Sequence, residues 1–163
     1  MGRLALVLLL TSVAHAAPPL SLQLGFSGGA QWAERSGWVR DDSVLALRGG
    51  MGIGDFVALD VSLAEDLERI EPSFGVGARV RPWAGACWAA RFAPYLRAEV
   101  AVVGASHLAS NYDLLAGVGH WGRLGATLAW FAELDVVARV GEYDAVSARI
   151  EAGLAIATAS FWP

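Results

Sequence analysis

The chain has 163 residues, enough for one domain, and a net charge of -4 at neutral pH. That acidic balance, with no Lys/Arg cluster, argues against nucleic acid as a partner. The chain is 55% hydrophobic and 17% charged, yet no run reaches the ~18 apolar residues expected of a membrane-crossing helix. With 19 Gly and many aromatics, this points to a chain that crosses a membrane with strands.

The N-terminus reads as an export signal. Arg3 supplies a positive end, Leu4 through Val13 a short apolar run, and Ala14-His15-Ala16 the small-x-small form that a signal peptidase needs. Residues 1–16 are therefore set apart as a signal peptide, and residues 17–163 form the mature barrel domain. His15 then has no role in the mature protein. Cys87 is the only cysteine, so an intramolecular disulfide is excluded. It adjoins Trp88 with no His or acid close in sequence, which suits a packed thiol better than a nucleophile.

Alternation then predicts eight strands. The first spans residues 20–31, with Leu22, Leu24 and Phe26 opposite Ser21, Gln23 and Gly25. Residues 33–42 read as a polar loop. Residues 43–52 and 56–63 form a hairpin pattern around Gly54-Asp55. Residues 64–72 are acidic and irregular, with a helical turn that Pro72 would stop. A fourth strand covers 73–81, with Phe74, Val76 and Ala78 opposite Gly75, Gly77 and Arg79. Residues 82–93 connect it to a fifth, 94–104, the clearest of all: Leu96, Ala98, Val100 and Val102 oppose Tyr95, Arg97 and Glu99. After a polar loop at 105–111 come strands at 112–121, 126–140 and 145–159. The links between them are 122–125 and 141–144.

The strand charges are Arg48, Asp60, Arg79, Arg81, Arg97, Glu99, Glu133, Asp135, Arg139, Arg149 and Glu151. All fall on the face opposite the apolar one. Two architectures accept that pattern. A lipocalin-like secreted barrel turns the apolar face inward, onto a ligand. An all-β, eight-stranded antiparallel up-and-down transmembrane barrel turns it to lipid and fills the lumen with the charges. Near balance of Arg and acids, the rarity of Lys, and small residues among the apolar ones favour the second. So do aromatics near the strand ends: Phe56, Trp83, Trp88, Phe92, Trp121 and Trp162 at one rim, Trp32, Trp38, Phe74, Tyr112 and Tyr143 at the other. A sheet edge in hydrocarbon would leave unpaired amides, so the first and last strands should pair.

With its signal-like Arg3–Ala16, alternating stretches such as Tyr95–Val103 and Ala145–Ile156, and terminal Phe161-Trp162, the mature chain resembles the small eight-stranded outer-membrane proteins of Gram-negative bacteria, the OmpA-barrel and OmpX-like group. The resemblance implies an outer-membrane location, outer-membrane lipid and the insertion machinery as partners, and Phe161 and Trp162 as the assembly signal. Pro163 after that signal departs from the group. No peptidoglycan-binding domain is expected after the barrel.

An eight-stranded barrel is just wide enough for side chains to fill. Paired lumenal charges therefore suit a polar core better than an open pore, and the expected role is structural or envelope-associated. With both termini periplasmic, residues 33–42, 64–72, 105–111 and 141–144 face outward as short loops. The alternative is a lipid A-modifying barrel enzyme. Its local candidate is His107-Leu108-Ala109-Ser110-Asn111, which resembles the His-x-Ser-Asn motif of the lipid A deacylases. The spacing here is one residue longer and would put His107 and Ser110 on opposite faces of a strand, out of reach for a nucleophile and its base. His120 beside Trp121 suits a membrane interface. No Cys/His metal set, nucleotide fingerprint or catalytic spacing is present, so no catalytic residue, metal or cofactor is expected. The strand glycines Gly75, Gly77, Gly117 and Gly119 would make room for large lumenal side chains.

Overall fold

The computed structural model describes residues 19–33, 37–41, 43–82, 93–104, 111–141 and 145–158. They form nine strands: β1 (Leu20–Ala33), β2 (Gly37–Arg40), β3 (Val44–Ile53), β4 (Val57–Asp66), β5 (Glu71–Val80), β6 (Ala93–Val103), β7 (Asn111–Arg123), β8 (Leu128–Val140) and β9 (Ala145–Ala157). All pairings are antiparallel. From β3 to β9 each strand pairs with the next, and β1 pairs with both β3 and β9. The sheet is thus a closed barrel of eight strands, with β2 as an extra short strand on β1. Closure leaves no edge along the barrel wall.

The register fixes the barrel's shape. The ladder from Leu20 runs through Met51, Leu59, Ala78, Ala98, Ala116, Val136 and Ala148, and returns to β1 at Ala30, ten residues further on. Such a stagger tilts the strands by about 40°. It also brings the strand ends level. One end, the terminal end, carries Leu20, Ile53, Val57, Val80, Ala93, Arg123, Leu128 and Ala157. The other is the distal end, and the β1–β2 hairpin extends it.

Side chains divide by parity. On β1, Leu22, Leu24 and Phe26 are about half exposed, while Ser21, Gln23 and Ser27 between them are buried. The same inversion runs round the barrel: Leu47, Leu59, Val76, Val100, Leu134 and Ile150 are exposed, and the charged residues between such positions are buried, or half-buried in the case of Arg139 and Arg149. The apolar face is the outside. A lipocalin-like interior is the reverse of this arrangement.

Two connections differ from expectation. Residues 33–42 are not simply a loop: β2 folds back on β1, pairing Trp38 with Trp32 and Arg40 with Ala30. Four residues give too little alternation to betray a strand. Residues 64–72 are not irregular either. β4 continues to Asp66 and β5 begins at Glu71, leaving only Leu67–Ile70 as the turn. The Asp66 carboxylate accepts the N–H groups of Glu68 and Arg69 at 2.9 and 3.0 Å, and Ile70 N–H reaches Asp66 O at 2.8 Å. These bonds close the turn that the acidic composition obscured. Pro72 is tolerated as the second residue of its strand.

Candidate functional site

The inward residues stack in layers. At the terminal end the layer is apolar and aromatic. Tyr95, Trp121 and Phe131 pack with Ala58, Ala93, Ala129, Ala155 and Ala157. Tyr95 and Trp121 have ring centroids 5.2 Å apart. The Arg79 guanidinium lies over the Trp121 ring at 4.7 Å. Its Nε donates to Asp60 Oδ2 at 2.6 Å, and Nη2 to Asp60 Oδ1 and to Ser21 Oγ. A cation held between a carboxylate and an indole face suits the planar guanidinium better than an ammonium. Arg81 is buried at the same end.

The middle layer is a charge cluster. Arg48 donates to Gln23 at 2.8 Å, to Glu133 at 3.0 Å, and to both oxygens of Glu151. Arg97 donates to Glu133 at 2.6 Å and to Glu99 at 2.5 Å. Ser62 donates to Glu99 and Tyr95 to Glu133, so the cluster is tied to the aromatic layer beneath it. Glycines give it space. A Cβ on Gly25 would fall 2.2 Å from Glu151 Oε1, and one on Gly117 would strike Asp135.

The distal layer is looser. Arg139 grips Asp113 with two bonds of 2.7 and 2.9 Å, and Arg149 donates to Asp41. Above the cluster a cavity of about 70 Å³ runs between these pairs, lined by Glu99, Asp135, Glu71, Val137, Ala101 and Ser73 among others.

Each charged residue expected on the lumenal face points inward, and Arg48, Arg97, Glu99, Glu133, Asp135 and Glu151 come together. Arg79 with Asp60, Arg139 and Arg149 form separate pairs. Sequence reasoning missed Asp113 and Asp41. Asp113 shares the parity of Gly117 and Gly119, so the alternation contained it. Asp41 lies outside any strand and left no signal. Gln23 and Tyr95 were placed on the inward face but not assigned to the polar network, and Phe131, also of inward parity, was not placed at all. Trp121, expected in a rim girdle, is instead 3% exposed inside the barrel. Its parity is that of Gly119, and parity outranks the aromatic's usual preference for an interface. Trp32, Trp38 and Tyr112 do face outward at the distal end, and Phe56 is exposed at the terminal end. Phe74 is exposed too, on the outer face in the distal half. Trp83, Cys87, Trp88, Phe92, Tyr143, Phe161, Trp162 and Pro163 lie outside the described residues, as do the signal segment 1–16 and the His107–Ser110 stretch.

Glu133, Asp135 and Glu151 are the one acidic triple among the described residues whose oxygens come within 4.8 Å of one another. Arg97 Nη1 already sits among them, at 2.6 Å from Glu133, 3.5 Å from Glu151 and 3.6 Å from Asp135. The guanidinium takes the place a metal ion would need. His120 is the only histidine among the described residues. It stands on the outer face, its ring edge-on to Trp130 with centroids 4.5 Å apart, across the wall from every lumenal carboxylate.

No family model matches the sequence, and no curated protein is similar to it. Solved structures are similar in fold. Neisserial surface protein A superposes with a TM-score of 0.61 at 14% identity, over 84% of this chain and 96% of that one. The N-terminal β-barrel domain of Pseudomonas aeruginosa OprF gives 0.54 at 15% identity, over 83% and 97%. A de novo designed transmembrane β-barrel gives 0.57 at 14%, over 85% and 95%. The chain has the fold of the small eight-stranded transmembrane barrels.

Proposed function

We propose that this chain is an integral protein of a bacterial outer membrane, with a structural or envelope-associated role and a lumen that is closed rather than an open pore. The inversion of sidedness carries the reading. Leucines, valines and isoleucines stand outside while Arg48, Arg79, Arg97, Glu133 and Asp135 are almost wholly buried inside. Water would reward the opposite arrangement; hydrocarbon rewards this one. Closure rests on two stacked layers, the aromatic one at the terminal end and the charge cluster above it. The terminal end faces the periplasm and the distal end faces outward, so the cavity is a blind vestibule opening to the exterior. The barrel reaches the membrane behind the cleaved segment 1–16, and the insertion machinery reads Phe161 and Trp162. Against the enzyme alternative stands the spacing of His107 and Ser110, which would put them on opposite faces of a strand; His120, the one described histidine, stands near the terminal end, which this orientation turns away from lipid A.

Membrane fractionation with heat-modifiability tests the reading. Expressed in a Gram-negative host, the protein should enter the detergent-extracted outer-membrane fraction and migrate differently in SDS gels before and after boiling. A soluble periplasmic protein with no shift would reject it. Unchanged lipid A in cells with and without the protein is the outcome expected of a barrel that is not an enzyme.

A further inference from the structure

Gly49 is out of place. It sits in mid-strand on the outer face of β3, paired with Leu22 on one side and Val61 on the other. The other outward positions of β3 are Leu45, Leu47, Met51 and Ile53, all large. Its neighbour Gly50 has a steric reason to be glycine: a Cβ there would fall 2.3 Å from Arg79 Nη2 and 2.6 Å from both Asp60 Oδ1 and Ser21 Oγ. Gly49 has none, because a Cβ would meet only Val61 Cγ2, at an ordinary 3.6 Å. Gly122, also outward, lies beneath Trp130. Gly28 stands where β1 exchanges β3 for β2 as its partner. A strand glycine without a packing reason marks a place where something else approaches the backbone.

What it opens is a furrow of about 690 Å³ in the outer wall of the terminal half. Its floor is Gly49 and Gly50, and its sides are Leu20, Leu22, Met51, Leu59, Val61 and Ile156. Thr158 stands at its end on the terminal rim. Ser21 and Asp60 also border the furrow, but their side chains are buried in the lumen and engaged by Arg79, so the surface it presents is overwhelmingly apolar and continuous with the face that the fold turns to hydrocarbon.

We infer that this furrow is a discrete site for one phospholipid, an acyl chain lying over Gly49 and the headgroup at the level of Thr158. The inference rests on the orientation proposed above, which puts the terminal half in the phospholipid leaflet. Gly49→Leu fills the furrow without touching the interior. Gly28→Leu is the matched control, since a Cβ there meets nothing within 4 Å and the residue lies outside the furrow.

The test is native mass spectrometry of the full barrel, extracted from membranes in mild detergent. The wild type and Gly28→Leu should each retain one phospholipid. Gly49→Leu should retain about tenfold less while keeping its heat-modifiable migration. Equal retention by all three proteins, no retained lipid, or retained lipid A in place of phospholipid overturns the inference. If the wild type shows no heat-modifiable barrel, it is the membrane reading that fails.

Discussion

The two halves of the barrel share one wall and one alternation, yet their interiors differ. In the terminal half Tyr95, Trp121 and Phe131 fill the lumen with rings and leave the alanines as spacers. In the distal half the lumen is bounded by ion pairs with a cavity between them. The middle cluster joins the two through the Tyr95–Glu133 hydrogen bond. Under the proposed closed lumen, the contrast assigns closure to the terminal half. Rings exclude water by volume; charge pairs hold position by mutual compensation and tolerate water at their edges. The terminal half should therefore control conduction, the middle layer stability, and the distal pairs rather little.

The largest effect should come from Arg97→Ala. It strips Glu133 and Glu99 of a buried counter-charge, and breaking such a pair costs about 3–5 kcal/mol. Urea unfolding of the refolded barrel should show this, or the variant should fail to become heat-modifiable.

Trp121→Ala should destabilise by a comparable ~3–5 kcal/mol through cavity formation. Combined with Tyr95→Ala it should also produce ion conductance in planar bilayers. Conductance appearing with Arg139→Ala but not with the double variant would invert the comparison.

Val100→Arg sharpens the outer side of the same contrast. On the lipid face an Arg costs about 2–4 kcal/mol near the midplane. Ser73→Arg, pointing into the vestibule, should leave assembly nearly unchanged. Yields of heat-modifiable protein compare the two, and equal yields would contradict the facing assignment.

The smallest effect should be that of Arg139→Gln. Its pair with Asp113 keeps some contact with water, so removing it should cost less than the about 3–5 kcal/mol expected where a fully buried pair is broken. A loss as large as that of Arg97→Ala would mean that the distal half is as tightly organised as the middle.

The strands were legible because one face had to be apolar and the other charged: Arg97-Ala98-Glu99-Val100 leaves only one way to face each residue. The partners within the lumen were not legible. Parity says that Arg97 and Glu133 both point inward; only the ten-residue stagger brings them together. Trp121 shows how two signals can conflict. Its place near a strand end suggested a girdle, and its odd-numbered phase put it inside the barrel. Asp41 shows the limit of alternation, since a residue outside every strand has no phase to read. The turn Leu67–Ile70 was hidden because its bonds use the Asp66 side chain and backbone rather than a Gly-rich pair, with Ile70 at a φ of 56°.

The most direct test of the account is planar-bilayer recording of the refolded wild-type barrel beside the Tyr95→Ala/Trp121→Ala variant. The account predicts no steady conductance for the wild type and discrete open levels for the variant. Steady, wild-type conductance that the double substitution leaves unchanged would contradict closure by the aromatic half.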